Sequence, residues 1–281
     1  SSNNGSATVT KISVAKPTAS GTYTYNGNTQ TLSVSGYNSS TMNISGNTGK
    51  NAGSYTATVT LKDSSNYQWS DGTTSGVSLG WKINPKQISV TWGSTTSFTY
   101  NGSAQAPTAS ASSGVSGETL NITRTTQVNA GSYTSTASLS SVTGGQGKTS
   151  NYTLTNTTKA FTITRAKTAT ASSTNKTYNG ATQTGVTGSQ VTWSGTQSAI
   201  DAGTYTAKAT PTSNYAWSDG TTGAKTITWT MNKKSVAVTW GSTTFTYNGK
   251  AQGPTASADS GISGETLNIT RTTEVSAGTH T

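Results

Sequence analysis

The sequence contains no cysteine, and this absence excludes disulfide bonds and thiolate metal sites as sources of stability. Charged residues are also scarce, at 9% of the 281 residues, and hydrophobic residues make up only 29%. No apolar stretch is long enough to span a membrane, and the first residues, 1–6, do not read as a signal peptide. We therefore expect no direct insertion of this chain into a membrane.

Low hydrophobicity is also typical of disordered chains, but those are usually poor in aromatic and β-branched residues. This chain has 12 Tyr and 7 Trp, and its many Val, Ile and Thr residues suit a half-buried pleated surface. The net charge of +10 comes from lysines that are scattered, with Lys233-Lys234 as the only adjacent pair. Because nucleic-acid-binding proteins usually cluster their charge, we interpret these lysines as a solvated surface and expect no nucleic-acid partner.

Internal repeats divide the chain into four modules. Tyr-Asn-Gly begins at Tyr25, Tyr100, Tyr178 and Tyr247, and an Ala-Gly pair follows each copy, at 52–53, 130–131, 202–203 and 277–278. We name the modules A1 (11–85), B1 (86–165), A2 (166–233) and B2 (234–281), the last of which is incomplete relative to B1. Residues 1–10 are expected to be a tail or the end of a preceding module.

The two A modules share Asn-Tyr-x-Trp-Ser-Asp-Gly-Thr, at 66–73 and 214–221, and the two B modules share a nearly identical run, 91–131 in B1 and 239–278 in B2. The pattern is therefore ABAB, which is typical of a recent duplication of an A–B pair.

Alternating apolar residues predict strands with one buried face. After the Ala-Gly pairs they are Tyr55, Ala57, Val59 and Leu61; Tyr133, Ala137 and Leu139; and Tyr205, Ala207 and Ala209. At the module ends they are Val77, Leu79, Trp81 and Ile83; Phe161 and Ile163; and Ile227, Trp229 and Met231. Asn-Gly favours type I′ turns, so the Tyr-Asn-Gly sites are predicted to be hairpin tips or tight turns, with the Tyr at a sheet edge. The linkers are short, which favours stiffness. The predicted fold class is all-β, with tandem immunoglobulin-like β-sandwich modules in an extended rod.

Several motifs of module B1 occur in the order seen in a known repeat family. They are Tyr-Asn-Gly-x-x-Gln at 100–105, Asn-Ala-Gly-Ser-Tyr-Thr at 129–134, Asn-Tyr-Thr-Leu-Thr-Asn at 151–156 and Phe-Thr-Ile-Thr-Arg-Ala-Lys at 161–167. In this combination the chain resembles MBG-type bacterial immunoglobulin-like repeats. The resemblance implies a secreted or cell-wall-attached bacterial surface protein, in which such repeats form adhesin stalks. The A modules depart from it by carrying Trp-Ser-Asp-Gly where B1 has Leu-Thr-Asn.

No set of residues predicts an enzyme, a cofactor site or a metal site. The only His is His280, at a position where the other modules have Tyr, and the eight Asp and Glu residues form no calcium-binding spacing. Asp71 and Asp219 lie in Asp-Gly turns, where a carboxylate can accept turn hydrogen bonds. Trp69 and Trp217 beside them could form a glycan platform, but Leu154 takes the corresponding place in B1, so core packing is favoured.

Glu118 and Glu265 occur in the shared segment Ser-Gly-Glu-Thr-Leu-Asn-Ile-Thr, near Arg124 and Arg271. A surface Glu–Arg pair is the default interpretation. An intramolecular isopeptide bond promoted by a buried Glu is the alternative, although the A modules have no equivalent acid.

Three functions follow from these patterns. The leading one is a structural spacer or stalk of a bacterial surface protein, located at the cell surface or secreted. The second is an array that binds host or cell-wall glycans or mucin through Trp69, Asp71, Trp217 and Asp219. The third is a filament subunit that associates with neighbouring copies by strand complementation, motivated by the incomplete module B2 and a tail at Ala7–Thr10 expected to be rich in β-structure.

Overall fold

The computed structural model describes residues 5–281 and is all-β. Its only helical element among these residues is a single 3-10 turn, Thr149–Asn151, so the predicted all-β class is confirmed. The described residues include no helix long and apolar enough to cross a bilayer. Of the predicted tail, residues 1–4 lie outside the described residues. Ala7–Thr10 forms no strand, contrary to the expectation, and the first strand begins at Ile12.

Each of the first two modules combines a few long strands with several short ones. In module A1 they are Ile12–Val14, Thr18–Ser20, Tyr23–Thr24, Gln30–Thr31, Ser33–Ser35, Met42–Ser45, Thr48–Gly49, Gly53–Leu61, Tyr67–Trp69 and Val77–Asn84. In module B1 they are Lys86–Ser89, Thr91–Trp92, Ser97–Thr99, Ala109–Ser110, Thr119–Arg124, Gly131–Thr143, Tyr152–Thr155 and Thr158–Thr164.

Module A2 repeats this arrangement, whereas module B2 has far fewer strands. The strands of A2 are Thr170–Ser173, Lys176–Thr177, Gln183–Thr184, Val186–Ser189, Val191–Gly195, Ser198–Ala199, Gly203–Pro211 and Lys225–Asn232. Those of B2 are Thr239–Trp240 and Ala256–Ser257, which pair with each other.

Modules A1, B1 and A2 each contain a four-stranded sheet with one strand order. In A1 the order is Tyr23–Thr24, Val77–Asn84, Gly53–Leu61 and Met42–Ser45. The two long central strands are antiparallel, with Trp81 opposite Tyr55, and the first strand is parallel to its neighbour. A second, short sheet pairs Ile12–Val14 in parallel with Tyr67–Trp69, and B1 repeats this pair with Lys86–Ser89 and Tyr152–Thr155.

The predicted alternation of buried residues is confirmed along the central strands. Ala57, Val59 and Leu61 are buried on one face of Gly53–Leu61, and the intervening Thr residues face outward or are half-buried. An aromatic pair links the two central strands in A1 and again in A2, near the first residues of the strand that follows the Ala-Gly pair. Tyr55 stacks on Trp81 with ring centroids 4.8 Å apart, and Tyr205 lies 4.9 Å from Trp229.

The chain divides into two compact units. The first runs to Phe98 and includes Gly102–Ile163, and the second comprises Thr99–Asn101 and Thr164–Thr281. In the first unit one hydrophobic core extends through both modules, from Trp81 and Tyr25 of A1 to Leu120 and Tyr152 of B1. Modules A1 and B1 therefore share one hydrophobic core.

Of the two roles predicted for Tyr-Asn-Gly, the hairpin tip is wrong, whereas the first site does form a tight turn. Type I′ turns need positive φ at both central residues, but at the first site only Gly27 has it, at 82°, and Asn26 does not. The site instead connects Tyr23–Thr24 in the large sheet to Gln30–Thr31 in another sheet. The Asn26 carboxamide oxygen accepts a hydrogen bond from the Asn28 amide at 2.9 Å, and the Gln30 side chain donates to the Thr24 carbonyl at 3.0 Å. The Tyr-Asn-Gly-x-x-Gln motif is thus a self-bonded connection between sheets.

Candidate functional site

The two Trp residues predicted as glycan contacts or core residues lie in the core. Trp69 is 0% exposed and Trp217 is 3% exposed. Each indole nitrogen donates to a backbone carbonyl at 2.7 Å, to Ser75 from Trp69 and to Gly223 from Trp217. Because neither indole face is open, a sugar ring could stack on them only after they leave the core. The glycan hypothesis for Trp69 and Trp217 stays a prediction, and the geometry favours packing.

The neighbouring acids stabilise Asp-Gly turns, as their sequence context predicts. One carboxylate oxygen of Asp71 accepts hydrogen bonds from the Thr73 amide at 3.0 Å and the Thr73 hydroxyl at 2.7 Å. Asp219 makes the same two bonds to Thr221. The hydrogen bond from Lys16, followed by those from Thr73, holds the pKa of Asp71 well below its usual value. These exposed acids are therefore ionised turn residues.

Glu118 is not the surface partner of Arg124 that the sequence suggested. Its side chain is buried, at 8% exposed, and its carboxylate is held by three donors. The hydroxyls of Tyr25 and Tyr152 donate to separate oxygens, the second at 2.5 Å, and the Gln146 amide donates at 2.9 Å. Tyr25 comes from module A1 and the other three residues from B1. A single carboxylate therefore ties the two modules of the first unit together.

The electrostatics of this site follow from burial and hydrogen bonding. Burial raises the pKa of Glu118, but the bonds from Gln146, Tyr152 and Tyr25 outweigh it, and the net pKa is lowered. Burial and the adjacent Glu118 carboxylate raise the pKa of Tyr25 to about 12. At neutral pH the site accordingly holds one negative charge and two protonated phenols, which is the arrangement its hydrogen bonds require.

A second contact between A1 and B1 uses the Ala-Gly marker. The side chain of Asn151, which is fully buried, accepts a hydrogen bond from the Ala52 amide at 2.8 Å and donates to the Asn51 carboxamide oxygen at 3.0 Å. Next to it, the rings of Tyr25 and Tyr152 pack edge to face at 5.4 Å. The Tyr-Asn-Gly and Ala-Gly markers of module A1 thus both contact the Asn151-Tyr152 segment of B1. In this unit the markers therefore lie at the junction between the two modules.

The second unit contains the same junction in part. The Tyr178 hydroxyl donates to the Glu265 carboxylate, as Tyr25 does to Glu118. In both units the glycine of Tyr-Asn-Gly also lies close to an apolar side chain. A Cβ on Gly27 would lie 2.5 Å from Val115, and one on Gly180 would lie 2.6 Å from Ile262. Unlike Glu118, Glu265 is exposed. Next to Glu265 lies a cleft of about 300 Å³.

His280 takes the structural place of a tyrosine. In A1, B1 and A2 the Tyr hydroxyl after the Ala-Gly pair donates to the carbonyl four residues earlier, as from Tyr55 to Asn51 at 2.6 Å and from Tyr205 to Asp201 at 2.8 Å. The His280 Nε2 lies 2.8 Å from the corresponding Ser276 carbonyl. No three His, Asp or Glu side chains among the described residues come together as a possible metal site.

No protein-family model matches the chain, and no curated protein matches its sequence. One similar solved structure is SGBP-B of the Bacteroides ovatus mixed-linkage glucan utilization locus with a mixed-linkage heptasaccharide. Its identity is 12%, the match covers 85% of this chain and 72% of that chain, and the TM-score is 0.17. A second similar structure is that of the extracellular cadherin domains 1–4 of protocadherin gamma B7. Its identity is 8%, the match covers 75% of this chain and 66% of that chain, and the TM-score is 0.18. TM-scores this low do not establish a shared fold.

The sequence singled out Glu118 but did not predict its role as a buried acceptor between modules, although one signal for its burial was present. Residues 118, 120 and 122 share one face of an extended segment, and Leu120 and Ile122 are apolar. Glu118 is therefore in phase with buried residues, and burial of a carboxylate requires donors. The donors themselves could not be found in this way, because Tyr25 lies 93 residues away in the sequence.

Proposed function

We propose that this chain is a repeat region of a bacterial extracellular surface protein, in which modules act as coupled A–B pairs of a stalk or spacer. A stalk must resist bending where its modules meet. Domain interfaces that are small and polar permit relative motion, whereas large apolar ones restrict it. A role as a stalk therefore depends on what holds neighbouring modules together.

The observation that carries the proposal is the buried Glu118 site of the first unit. Its carboxylate bonds to Tyr25 across the junction, and the Asn151 side chain bonds to Asn51 and Ala52 beside it. Bending at this junction would expose the shared core and break charge-assisted hydrogen bonds, which are about twice as strong as neutral ones. The pair thus behaves as one stiff element.

The ABAB repeat and the resemblance to MBG-type immunoglobulin-like repeats support the remaining parts of the proposal. Such repeats imply an extracellular location, a cell-surface or secreted protein and a non-catalytic role. The absence of cysteine places the stability of each pair on its core and its junction. The immunoglobulin-like sandwich and the extended rod belong to this proposal as well.

Small-angle X-ray scattering of the intact chain tests the stalk. A compact globule of this length would have a radius of gyration of about 19 Å, and a rod of coupled pairs is expected to exceed this clearly. A pair-distance distribution with a single symmetric maximum and a radius near the compact value would contradict the proposal.

The glycan-binding alternative is less well supported, because both indoles are buried. A glycan-array screen of the intact chain is expected to give no specific signal. The matched variants Asp71→Asn and Asp219→Asn leave Trp69 and Trp217 in place, since only the exposed carboxylates change. Specific binding by the intact chain that both variants lose would favour glycan recognition over the stalk.

A further inference from the structure

The Tyr-Asn-Gly motifs place an asparagine carboxamide directly before a glycine. Their asparagines, Asn26, Asn101, Asn179 and Asn248, are all exposed to solvent. The carboxamide carbon is an electrophile, and the backbone nitrogen of the next residue can attack it to close a succinimide ring. Glycine has no Cβ that would crowd this nitrogen. Each motif therefore brings together the two groups that react when an asparagine deamidates.

In module A2 the asparagine oxygen accepts two hydrogen bonds from its own motif. The Asn179 carboxamide oxygen accepts from the Ala181 amide at 3.0 Å and from the Gln183 side chain at 3.1 Å. When the carboxamide is attacked, negative charge develops on this oxygen, and donors already aimed at it lower the barrier. The turn thus supplies its own stabilising groups for the reaction.

Module A1 has the same turn without the second donor. The Asn26 oxygen accepts from the Asn28 amide at 2.9 Å, whereas Gln30 donates to the Thr24 carbonyl at 3.0 Å. No second hydrogen bond reaches the Asn26 oxygen within the described part of the chain. Gln183, the counterpart of Gln30 in A2, donates both to the equivalent carbonyl and to the asparagine oxygen. The two turns therefore differ in one donor.

The surroundings of the two glycines are otherwise alike. The φ angle is 82° at Gly27 and 78° at Gly180. A Cβ on either glycine would meet an apolar side chain of the neighbouring B module, Val115 at 2.5 Å or Ile262 at 2.6 Å. The backbone that carries the attacking nitrogen is accordingly restrained in a similar way at both sites. A difference in their reactivity would report on the second donor.

We propose that Asn179 is a self-modifying residue, which deamidates spontaneously with assistance from the Gln183 side chain. The Gly180 nitrogen gives its proton to water or hydroxide and forms a bond to the Asn179 Cγ. The Cγ–Nδ2 bond then breaks, and the nitrogen gains a proton from water and leaves as ammonia. Water opens the succinimide at either carbonyl, which yields aspartate or isoaspartate. The net reaction consumes water and releases ammonia, and nothing is oxidised or reduced.

The Asp-Gly turns of the A modules provide unreactive references in the same chain. Asp71 and Asp219 accept the same turn bond from the amide two residues later. The hydrogen bond from Lys16, followed by those from Thr73, lowers the pKa of Asp71, and the bonds from Thr221 lower that of Asp219. Both acids are therefore ionised at neutral pH. A carboxylate is a poor electrophile and has no ammonia to release, so neither turn should form a succinimide.

The modification would act on the residue that bonds to module B2. Isoaspartate at position 179 lengthens the backbone by one carbon atom directly after Tyr178, whose hydroxyl donates to Glu265. We expect this bond to weaken as the product accumulates. The inference is independent of the stalk role, because the reaction needs only the local turn and water.

The test follows each asparagine of the intact chain by peptide mapping and mass spectrometry during incubation in a mildly alkaline buffer. Deamidation raises the mass of a peptide by about 1 Da. Asn179 should react about threefold or more faster than Asn26, which corresponds to the net free energy of one hydrogen bond. The products should include both aspartate and isoaspartate, and the rate should rise with pH because the glycine nitrogen must lose its proton.

The matched variants are Gln183→Met and Gln30→Met. Gln183→Met keeps the side-chain volume but removes the donor, so it should slow the reaction of Asn179 about threefold or more. If Gln183 only held the turn rigid, its replacement would instead make Asn179 react faster. Gln30→Met should not slow the reaction of Asn26, since Gln30 bonds to the Thr24 carbonyl.

Near-ultraviolet circular dichroism verifies that both variants remain folded, and the comparison of Asn179 with Asn26 in the unsubstituted chain stands without them. The proposal would be overturned by an Asn179 rate no higher than that of Asn26. An unchanged or faster reaction of Asn179 in the Gln183→Met variant would equally overturn it, as would an equal slowing of Asn26 by Gln30→Met.

Discussion

Modules B1 and B2 contain the same six-residue segment, Thr-Leu-Asn-Ile-Thr-Arg, in two different states. In B1 it is the strand Thr119–Arg124, paired with Gly131–Thr143. In B2 the identical residues 266–271 form no strand. Local propensity is the same in both, so the difference arises from the partner strand. β-Structure in these modules is therefore set by cross-strand packing more than by intrinsic preference.

The same contrast holds for the site. Glu118 is buried among three donors, whereas Glu265 is exposed and bonded to Tyr178. Both acids have the sequence neighbours Ser-Gly before and Thr-Leu after. What distinguishes them is the Asn151-Tyr152 segment, which converts an exposed acid into a buried junction. Matched substitutions at equivalent positions can measure how much that segment contributes.

The largest difference is expected for Leu120→Ala compared with Leu267→Ala. Leu120 is 7% exposed in the shared core, and removing a buried Leu side chain costs about 2 to 5 kcal/mol. Leu267 is half-buried beside the open cleft, so its replacement should cost about 1 kcal/mol. Urea denaturation of the intact variants gives both free energies of unfolding. Equal losses at the two positions would show that B2 is as tightly packed as B1.

The next difference is expected for Glu118→Gln compared with Glu265→Gln. An amide at position 118 cannot accept from three donors as strongly as a carboxylate, so the first unit should lose about 2 kcal/mol of unfolding free energy. Glu265 has one tyrosine donor and is exposed, and its replacement should cost less than about 0.5 kcal/mol. Denaturant midpoints measure both effects. A Glu118→Gln variant as stable as the wild type would exclude the carboxylate as the tie between A1 and B1.

A smaller difference is expected for Gly27→Ala compared with Gly249→Ala. Both glycines have positive φ, 82° and 77°, so both variants carry a similar backbone strain of about 1 kcal/mol. An added Cβ at Gly27 meets Val115 at 2.5 Å, whereas nothing lies within 4 Å at Gly249. Gly27→Ala should therefore cost about 1 kcal/mol more. Thermal unfolding of the two variants isolates the contribution of the close approach at the junction.

The sequence was sufficient to predict the all-β class and the long central strands, because Tyr55, Ala57, Val59 and Leu61 alternate with polar residues over a full strand. It also predicted the roles of Asp71 and Asp219, whose turn bonds are made to residues two positions away. These features depend on local order along the chain. The two-residue alternation of a strand and the hydrogen bonds of a tight turn can therefore be predicted without knowing which distant residues pack against them.

The junction could not be predicted in the same way. Tyr-Asn-Gly matches a hairpin signal, but its actual role depends on Asn28 and Gln30 locally and on module B1 for Tyr25. Asn51 and Asn151 are 100 residues apart. Nothing in the spacing of the repeats specifies which marker of one module meets which side chain of the next, since that depends on how two folded modules pack.

The smallest effect is expected from acid. The pKa of Glu118 is lower in the folded chain than its ordinary value of 4.5, so the site stabilises the fold above that value and loses this contribution as the pH falls through the lowered folded pKa. The net shift is what remains after burial and hydrogen bonding oppose each other, so the change should be modest. Urea denaturation from pH 7 to pH 3 should show the advantage of the wild type over Glu118→Gln shrinking only below about pH 4.5. Exposed acids such as Asp71 titrate in both proteins and cancel in this difference. An advantage that stays constant to pH 3 would mean that the carboxylate charge does not hold the junction.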